Sequence, residues 1–478
     1  GAVTEAALFL FIILPWLSPF TLGPTASVAP LLVSWTCAAA LSMTRAPIQD
    51  ATAILKRFGA VALLFLGAAL WQTGIPPGAE TLALGMSLLA ILACAIRFSG
   101  SGRADARLVA RAWLLAGLAS ALIGWLQYTG MGRSLAPWVS HANFGEAFGN
   151  LRQRNLYASL TSIALCALLW LARNDAWFHR PLRVILPAAL LAAGNALSHS
   201  RTGLFELLLI LGLAGIWGLH RERAARWALA PVVPAYLIAA VGLPMLFTAG
   251  AHPGVFTRLT EGVPQCSSRM TLWSNVLELI GQKPWFGWGW GRLDYAHYMH
   301  LYEGVRFCDI LDNAHNLPLH LAVELGAPMA LILCGAALWA TWRSRPWRES
   351  DPLRQLAWTV LAVLALHSLL EYPPWYGPFQ MALGICLGLL WPARRANAGR
   401  PFVGVALAAP LMAGVALGAL DYHRALQIYL APDERAAAYR DHTLEKVRAV
   451  WIFRDQVRFA ELTTTPLERG NAKWTHAM

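Results

Sequence analysis

The chain has 478 residues, of which 57% are hydrophobic and only 13% are charged, and its mean hydropathy is +0.48. Soluble globular domains carry roughly 25% charged residues, so this composition excludes a soluble protein and indicates a membrane protein. A net charge of +12 would suggest a nucleic-acid partner in a soluble protein, but membrane topology accounts for 20 of the 38 Lys and Arg residues here. We therefore expect no nucleic-acid partner.

Apolar segments recur along the chain at lengths that suit a helix crossing a bilayer, roughly 17 to 25 residues, or fall slightly short of them. Thirteen are predicted, at 6–20, 27–44, 58–73, 82–96, 108–128, 156–171, 184–198, 203–219, 227–247, 326–342, 355–371, 378–392 and 402–420. Several are short or contain Pro or Gly, so the prediction is an all-α membrane helical bundle of 12–13 spans. A long loop, 248–325, separates spans 9 and 10.

Lys and Arg are concentrated in the loops that follow even-numbered spans, whereas the loops at 21–26, 74–81 and 372–377 contain neither residue. Cytoplasmic loops retain positive charge, and short translocated loops avoid it. This pattern predicts that the N-terminus lies inside and that the uncharged loops and the long loop face outward.

Three regions follow from this topology: a transmembrane domain (1–420), the long loop within it, and a tail (421–478). With thirteen spans the tail lies outside, and with twelve it returns to the cytoplasm. Its pattern around 431–462 predicts one or two amphipathic helices.

Seven cysteines are divided between spans and loops. Five lie in spans and are interpreted as small apolar packing residues. Cys266 and Cys308 both lie in the long loop, which the topology places in an oxidising compartment. A disulfide between them is the resulting hypothesis.

Arginines also stand where the charge rule disfavours them. Arg152 and Arg154 run directly into an apolar helix, where a cation opposes the helix dipole. Arg201 lies in a tight external turn, and its planar guanidinium suits bidentate phosphate binding. These residues predict an anion site. The alternatives are contacts with lipid headgroups or, for the first pair, an ion pair with Glu146.

The long loop carries an aromatic run and a candidate base. Aromatic residues between glycines at 284–291 could line a path for a sugar or isoprenoid, or could anchor the loop at the membrane interface. His315 could accept a proton from a hydroxyl group near neutral pH. His297, His300 and His320 have an equal claim on composition, and spacing does not choose among them.

Four segments occur together in an order that resembles the O-antigen ligase superfamily, which includes O-antigen ligases, O-antigen polymerases and bacterial protein O-oligosaccharyltransferases. They are Arg201 in Ser-Arg-Thr-Gly, Arg269 in Ser-Arg-Met-Thr-Leu-Trp, the run Pro-Trp-Phe-Gly-Trp-Gly-Trp-Gly, and His315-Asn316 followed by Gly326. The resemblance is firmest over 150–390. One departure is Met329, where the superfamily usually has a small residue, Tyr or Thr.

The resemblance implies a GT-C-like transferase of the bacterial inner membrane with its active site at the periplasmic face. Such enzymes take a glycan from undecaprenyl diphosphate without a nucleotide sugar or a required metal, and we expect no cofactor. Arg201 and Arg269 match arginines thought to hold the diphosphate, and Arg152 and Arg154 lie in a family-like Gln-Arg-Asn segment. His315 matches the catalytic histidine, a candidate general base for the acceptor hydroxyl. Direct attack of that hydroxyl opposite the departing diphosphate would invert the anomeric carbon.

The resemblance leaves the acceptor open. An O-antigen ligase, placed first, transfers an oligosaccharide or polysaccharide to lipid A-core, whereas a protein O-oligosaccharyltransferase uses Ser or Thr of an exported protein. Segments 148–155 and 371–378 look similar to the protein-glycosylating branch, but the tail is short for it. A transporter of the lipid-linked glycan is a further alternative. It predicts charges along a path through the membrane, for which Glu206 and Glu371 are the nearest cases.

Overall fold

A computed structural model describes residues 2–21, 25, 27–44, 51–73, 77–247, 264–391 and 401–464. Within these ranges the secondary structure is helical, with no strand, which confirms the all-α class. The predicted apolar segments each coincide with a helix, and their bounds differ from the prediction by a few residues. The connection at 392–400 lies outside the described residues.

The helices are numbered in chain order. The first nine are α1 (Ala2–Leu17), α2 (Val28–Met43), α3 (Leu55–Thr73), α4 (Ala79–Arg97), α5 (Arg103–Tyr128), α6 (Arg154–Asn174), α7 (Leu182–Leu197), α8 (Arg201–Ile216) and α9 (Arg223–Phe247). The long loop adds α10 (Arg269–Gln282), α11 (Leu293–Met299) and α12 (Leu317–Leu325). The last are α13 (Ala327–Ser344), α14 (Pro352–Leu370), α15 (Gly377–Leu389), α16 (Pro401–Leu426), α17 (Thr443–Val447) and α18 (Arg454–Thr464).

Seven of these helices are long and apolar enough, by length and composition, to cross a membrane: α3, α4, α5, α6, α9, α14 and α16. Four shorter helices, α1, α2, α7 and α15, are apolar as well. The chain is therefore a multi-pass membrane protein. A count of 12–13 crossings stays a prediction.

The centre of the bundle is α6, whose residues from Leu156 to Ala172 are all buried. It packs against α5, α7, α8 and α14. Close approach depends on small residues, as between bilayer helices generally: a Cβ at Gly117 of α5 would overlap the Ala164 side chain of α6. Because α8 and α14 both pack against α6, the first turn of α8 and the last turn of α14 lie close to the first turn of α6.

Contacts between distant segments identify one end of the bundle, which we call the motif end. There the Trp290 indole of the long loop donates a hydrogen bond to the carbonyl of Glu80, at the start of α4 (3.3 Å). The Tyr422 hydroxyl of α16 contacts the backbone of Thr25, between α1 and α2 (3.1 Å). The described parts of the α1–α2 and α3–α4 connections, the long loop and the tail therefore lie at the same end.

The opposite end, here the basic end, carries the loops rich in arginine. Arg173 at the end of α6 pairs with Glu222 before α9 (2.6 Å) and donates to Gln355 of α14 (2.9 Å). Arg111 pairs with Asp175 (2.7 Å). The alternation of uncharged and basic loops thus corresponds to two physical ends of the molecule. That the motif end faces the periplasm stays a prediction.

The tail folds onto the motif end. Its described residues include two short helices, α17 and α18, and Val447, Phe453 and Val457 belong to one apolar cluster with Val28 of α2. The Asp421 carboxylate accepts hydrogen bonds from the backbone of Ile452 (2.6 Å) and Phe453 (3.2 Å). The described part of the tail and the long loop therefore lie at one end. The number of crossings, and the side of the membrane on which the tail lies, stay predictions.

In the long loop, helices α10, α11 and α12 surround a small apolar core of their own that includes Leu272, Val276, Leu293 and Phe307. Cys266 and Cys308 form a disulfide, as hypothesised. The bond ties the start of α10 to the segment that leads to α12. The disulfide therefore links the segments that lead into α10 and α12.

Glycines in the aromatic run have a packing role. The segment wraps around the break between α12 and α13, where the backbone N–H of Trp288 donates to the carbonyl of Val323 (2.8 Å) and that of Gly289 to Glu324 (2.9 Å). Gly287 and Gly326 have positive φ values of 70° and 90°. A Cβ at Gly287 would overlap the backbone of Glu324, so this contact requires glycine.

The aromatic side chains of the run fall into two sets. Trp290 is 5% exposed and packs against Phe65, His320 and Trp375. Trp285 and Phe286 are more than 70% exposed, at 71% and 72%. The exposure of Trp285 and Phe286 fits the interpretation of the run as an anchor at the membrane interface. Trp290, by contrast, is a packing residue.

We expect Gly326→Ala to lower the free energy of unfolding by about 1–3 kcal/mol, because the residue has positive φ and a Cβ would overlap the carbonyl of Trp285. Thermal unfolding in detergent measures the change. Gly335→Ala on α13 is the matched control: no atom lies within 4 Å of its Cβ position, so it should be neutral or stabilising. Equal stability of the two variants would contradict the packing role.

Candidate active site

The candidate site is organised around Glu371, the residue that follows α14 at the motif end. Its side chain is 6% exposed. One carboxylate oxygen, Oε2, accepts a hydrogen bond from Nδ1 of His315 (2.5 Å). The other, Oε1, pairs with the Arg269 guanidinium and accepts from Nδ2 of Asn155 (3.1 Å). One carboxylate therefore joins three segments that are far apart in the chain.

Local backbone structure presents the His315 ring to this carboxylate. His315 has a positive φ of 49°, and its N–H donates to the Asn313 side chain (2.9 Å). The next residue, Asn316, caps α12 by accepting from the Leu319 N–H (3.1 Å) and donates its own Nδ2 to Leu369 of α14 (3.0 Å). This cap ties the histidine turn to α14.

The imidazole itself remains accessible. Its side chain is 20% exposed, and its ring meets that of Tyr372 edge-on with 4.9 Å between centroids. With Nδ1 bound to Glu371, Nε2 has no hydrogen-bond partner in the part of the chain that the structure describes. The geometry therefore leaves the nitrogen opposite the carboxylate available to a substrate.

Arg269 is the first residue of α10. The Ser268 side chain caps this helix by accepting from the Thr271 N–H (3.1 Å), which sets the direction in which the chain enters. The Arg269 side chain is 35% exposed although it pairs with Glu371. Part of its guanidinium can therefore still bind an anion.

Arg201 is the first residue of α8. Hydrogen bonds through Asn155 link the start of this helix to Glu371. The hydroxyl of Ser200 caps the helix through the Gly203 N–H (3.0 Å) and donates to Oδ1 of Asn155 (2.6 Å). Asn155 in turn donates to Glu371. Among the described residues Arg201 has no ion-pair partner, and it is exposed, so its charge is available to an anion.

The structure does not bring the other two predicted arginines to Glu371. Arg154 forms an ion pair with Glu146 (3.7 Å), which is the alternative that the sequence left open. Arg152, also at a positive φ (59°), donates to the carbonyl of Pro19. Their role in diphosphate binding stays a prediction.

The remaining loop histidines have other partners. His297 contacts Tyr302 (2.8 Å), and His300 contacts Glu278 (2.5 Å). His320 is 2% exposed and lies beside Glu324. Of the four histidines that composition could not separate, only His315 touches Glu371 in the described structure.

The electrostatics keep Glu371 ionised. Burial by itself raises the pKa of this carboxyl, but the hydrogen bond and charge of His315 and the charge of Arg269 outweigh it. The pKa therefore lies below its usual range. A stable carboxylate can hold the imidazole in one orientation, and positive charge at the margin can hold an anion.

Sequence reasoning missed the roles of Glu371 and Asn155. In the sequence, Glu371 stands out only as a charge near a span and as part of segment 371–378. Asn155 stands out only as part of segment 148–155. Their signal was weak because each is an ordinary residue at a helix end.

No group of three or more His, Cys, Asp or Glu within the described ranges is arranged to hold a metal ion.

Family models match three parts of the chain. A protein glycosylation ligase model matches residues 147–172, an O-antigen ligase model matches 186–334, and a model of the C-terminal part of a virulence factor membrane-bound polymerase matches 355–478. Each range contributes to the site: Asn155 lies in the first, His315 in the second and Glu371 in the third.

Two curated relatives come from Acinetobacter baylyi. The chain is 26% identical over 293 residues to a general O-oligosaccharyltransferase, covering 57% of this chain and 48% of the relative. It is 25% identical over 248 residues to a ComP-specific O-oligosaccharyltransferase, covering 52% of this chain and 44% of that relative. The chain thus spans about half the length of these relatives.

Proposed function

We propose that this chain, which belongs to the O-antigen ligase superfamily, is a glycosyltransferase that moves a glycan from undecaprenyl diphosphate to a hydroxyl acceptor at its motif end. The observation that carries the proposal is the position of Glu371. It joins a candidate base, His315, to a candidate diphosphate ligand, Arg269, where a membrane helix ends. A lipid-linked donor would present its diphosphate at this level.

In the proposed reaction, the acceptor hydroxyl attacks the anomeric carbon of the donor sugar. Nε2 of His315 takes the hydroxyl proton as the new carbon–oxygen bond forms. The bond between the anomeric carbon and the diphosphate oxygen breaks on the opposite face, so the anomeric centre inverts. The products are the glycoside, the carrier diphosphate and a protonated His315, which returns its proton to solvent.

Each charged residue has a separate task in this scheme. Glu371 accepts the Nδ1–H of His315, which orients the ring and stabilises the imidazolium that forms. Arg201 and Arg269 stabilise the negative charge that develops on the departing diphosphate. We assign Arg152 and Arg154 to the same anion as well, although in the structure they contact Pro19 and Glu146. No metal or cofactor is assigned.

For the acceptor, we favour Ser or Thr of an exported protein over lipid A-core. The sequence alone placed an O-antigen ligase first. The comparisons support the superfamily as a whole, but both curated relatives are O-oligosaccharyltransferases, and a protein glycosylation ligase model matches the segment that contains Asn155. Transfer to lipid A-core is the second candidate, favoured by the O-antigen ligase match over 186–334.

Transport of the lipid-linked glycan is less well supported than transfer. A transport path needs polar groups along the membrane interior. Here Arg201, Arg269, His315 and Glu371 gather at one end. The polar residues deeper in the bundle, Ser159, Glu206 and His367, are 0% exposed and contact one another, so they line no open path. We place the protein in a bacterial inner membrane, surrounded by membrane lipids, with the motif end facing the periplasm, because the arginine-rich loops lie at the other end.

The experiment that tests the function supplies purified protein with an undecaprenyl diphosphate-linked glycan and offers a pilin-like protein and lipid A-core in separate reactions. Glycan appearing on the protein alone would support the first acceptor, and glycan on lipid A-core alone would support the second. Donor consumption with neither acceptor, or no consumption in any reaction, would count against glycan transfer to these acceptors.

We expect Arg201→Lys and Arg269→Lys each to raise the donor KM about 10- to 100-fold, because charge is kept but the bidentate guanidinium is lost. Titration of undecaprenyl diphosphate into the purified variants measures the same loss directly. Arg292→Lys is the control, since Arg292 lies in the same loop but outside the site. Unaltered donor binding in both variants would overturn the anion site.

A further inference from the structure

The three helices that supply the site meet again, deeper in the bundle. In α6, Ser159 lies one turn after Asn155. In α14, His367 lies one turn before Glu371. In α8, Glu206 lies within two turns of the start of the helix. Polar side chains thus occur on the same three helices at two successive levels.

The deeper residues contact one another. The Ser159 hydroxyl donates to Oε1 of Glu206 and contacts Nδ1 of His367 at 2.6 Å. Glu206 and His367 are each 0% exposed, with 3.7 Å between Nδ1 and Oε1. We call Ser159, Glu206 and His367 the deep layer.

The deep layer is joined to the site along each of its three helices, and in α8 Glu206 lies on the helix that begins with Arg201. The backbone N–H of Glu371 donates to the carbonyl of His367 at 2.7 Å. Ser159 and Asn155 lie on the same rigid face of α6, four residues apart. Displacement of α8 at the deep layer would therefore move Ser200 and Arg201. Displacement of α14 would move Glu371.

Helix packing alone does not account for this layer. Oε2 of Glu206 and Nε2 of His367 are buried and have no hydrogen-bond partner among the described residues. Unsatisfied buried polar atoms cost stability, and apolar side chains of similar size would pack these helices at lower cost. Directional hydrogen bonds between helices can, however, specify their register, as a buried polar residue does in coiled coils.

We propose that Ser159, Glu206 and His367 are positioning residues that hold α6, α8 and α14 in the register at which Asn155, Arg201 and Glu371 form the site. The inference rests on the proposed function and deepens it. None of the three touches substrate. They act through the placement of Glu371, and so of His315 and Arg269.

The primary test compares Glu206→Leu with Glu206→Gln. Leucine fills the space without a hydrogen bond to Ser159, whereas glutamine keeps that bond. We expect Glu206→Leu to lower kcat on the order of 10-fold, and Glu206→Gln to stay within about threefold of the parent protein. If Glu206→Leu does not insert, Ser159→Ala removes the bridging hydroxyl alone and carries the same expectation.

A double-mutant cycle separates positioning from general destabilisation. If Glu206 acts through Glu371, adding Glu206→Leu to Glu371→Gln should cost less than about twofold more. The control is Gln355→Leu, at the basic end of α14, which removes a buried side chain with two hydrogen-bonding partners. Gln355→Leu should keep turnover. Full additivity in the cycle, or an equal loss in Gln355→Leu, would overturn the inference.

A second readout does not need turnover. Spin labels at Phe205 and Leu369, each 45% exposed, report the spacing of α8 and α14 near the site. We expect a broader distance distribution with Glu206→Leu than with Glu206→Gln. An unchanged distribution with Glu206→Leu would overturn the positioning role even if transfer is observed. Absence of transfer by the parent protein would count against the proposed function only.

Discussion

Replacement of His315 by alanine is expected to lower kcat about 10³-fold, the middle of the range for a general base, with little change in donor affinity. His315 contacts Glu371 through Nδ1, and its Nε2 is directed away from that bond. Alanine removes the proton acceptor and leaves the guanidinium groups of Arg201 and Arg269 present to bind the diphosphate. The effect should therefore fall on the chemical step.

Single-turnover transfer from a lipid-linked glycan measures this effect, with membrane insertion and elution volume confirmed for each variant. The matched control is His300→Ala in the same loop. That side chain pairs with Glu278 and has no contact with the site, so its variant should transfer at close to the parent rate. Near-normal transfer by His315→Ala would rule out a general-base role.

Glu371→Gln is expected to lower kcat by about 10²- to 10³-fold, because an amide can present either an acceptor or a donor to Nδ1 and no longer stabilises an imidazolium. The same change removes the negative charge with which Glu371 pairs with Arg269. Donor affinity should therefore fall much less than kcat, or rise, since the arginine then meets the diphosphate without competition. The divergence of these two constants is the signature of the proposed arrangement.

Separate measurements of kcat and of undecaprenyl diphosphate binding test this second expectation. Glu303→Gln, an exposed carboxylate in the same loop, serves as the control and should change neither constant. Turnover of Glu371→Gln within about threefold of the parent would remove Glu371 from the mechanism. A parallel loss of donor binding and turnover would indicate that it acts only on Arg269.

The sequence predicted the elements because each one is encoded locally. Hydrophobic segments, the alternation of uncharged and basic loops and the amphipathic pattern of the tail are properties of short windows, and the structure has helices at these positions. The pairing of Cys266 with Cys308 could also be predicted from the sequence. These were the only two cysteines outside predicted spans, so topology left one pairing.

The site itself depended on tertiary structure. His315, Arg269 and Asn155 lie 56, 102 and 216 residues from Glu371, and nothing in their local sequence states which helix ends converge. Arginines outside the basic loops and the order of the motifs indicated an anion site with a histidine. The resemblance had already selected His315 among the loop histidines. The packing of α6, α8 and α14 placed that histidine beside Glu371, because only the fold brings those side chains within hydrogen-bond distance.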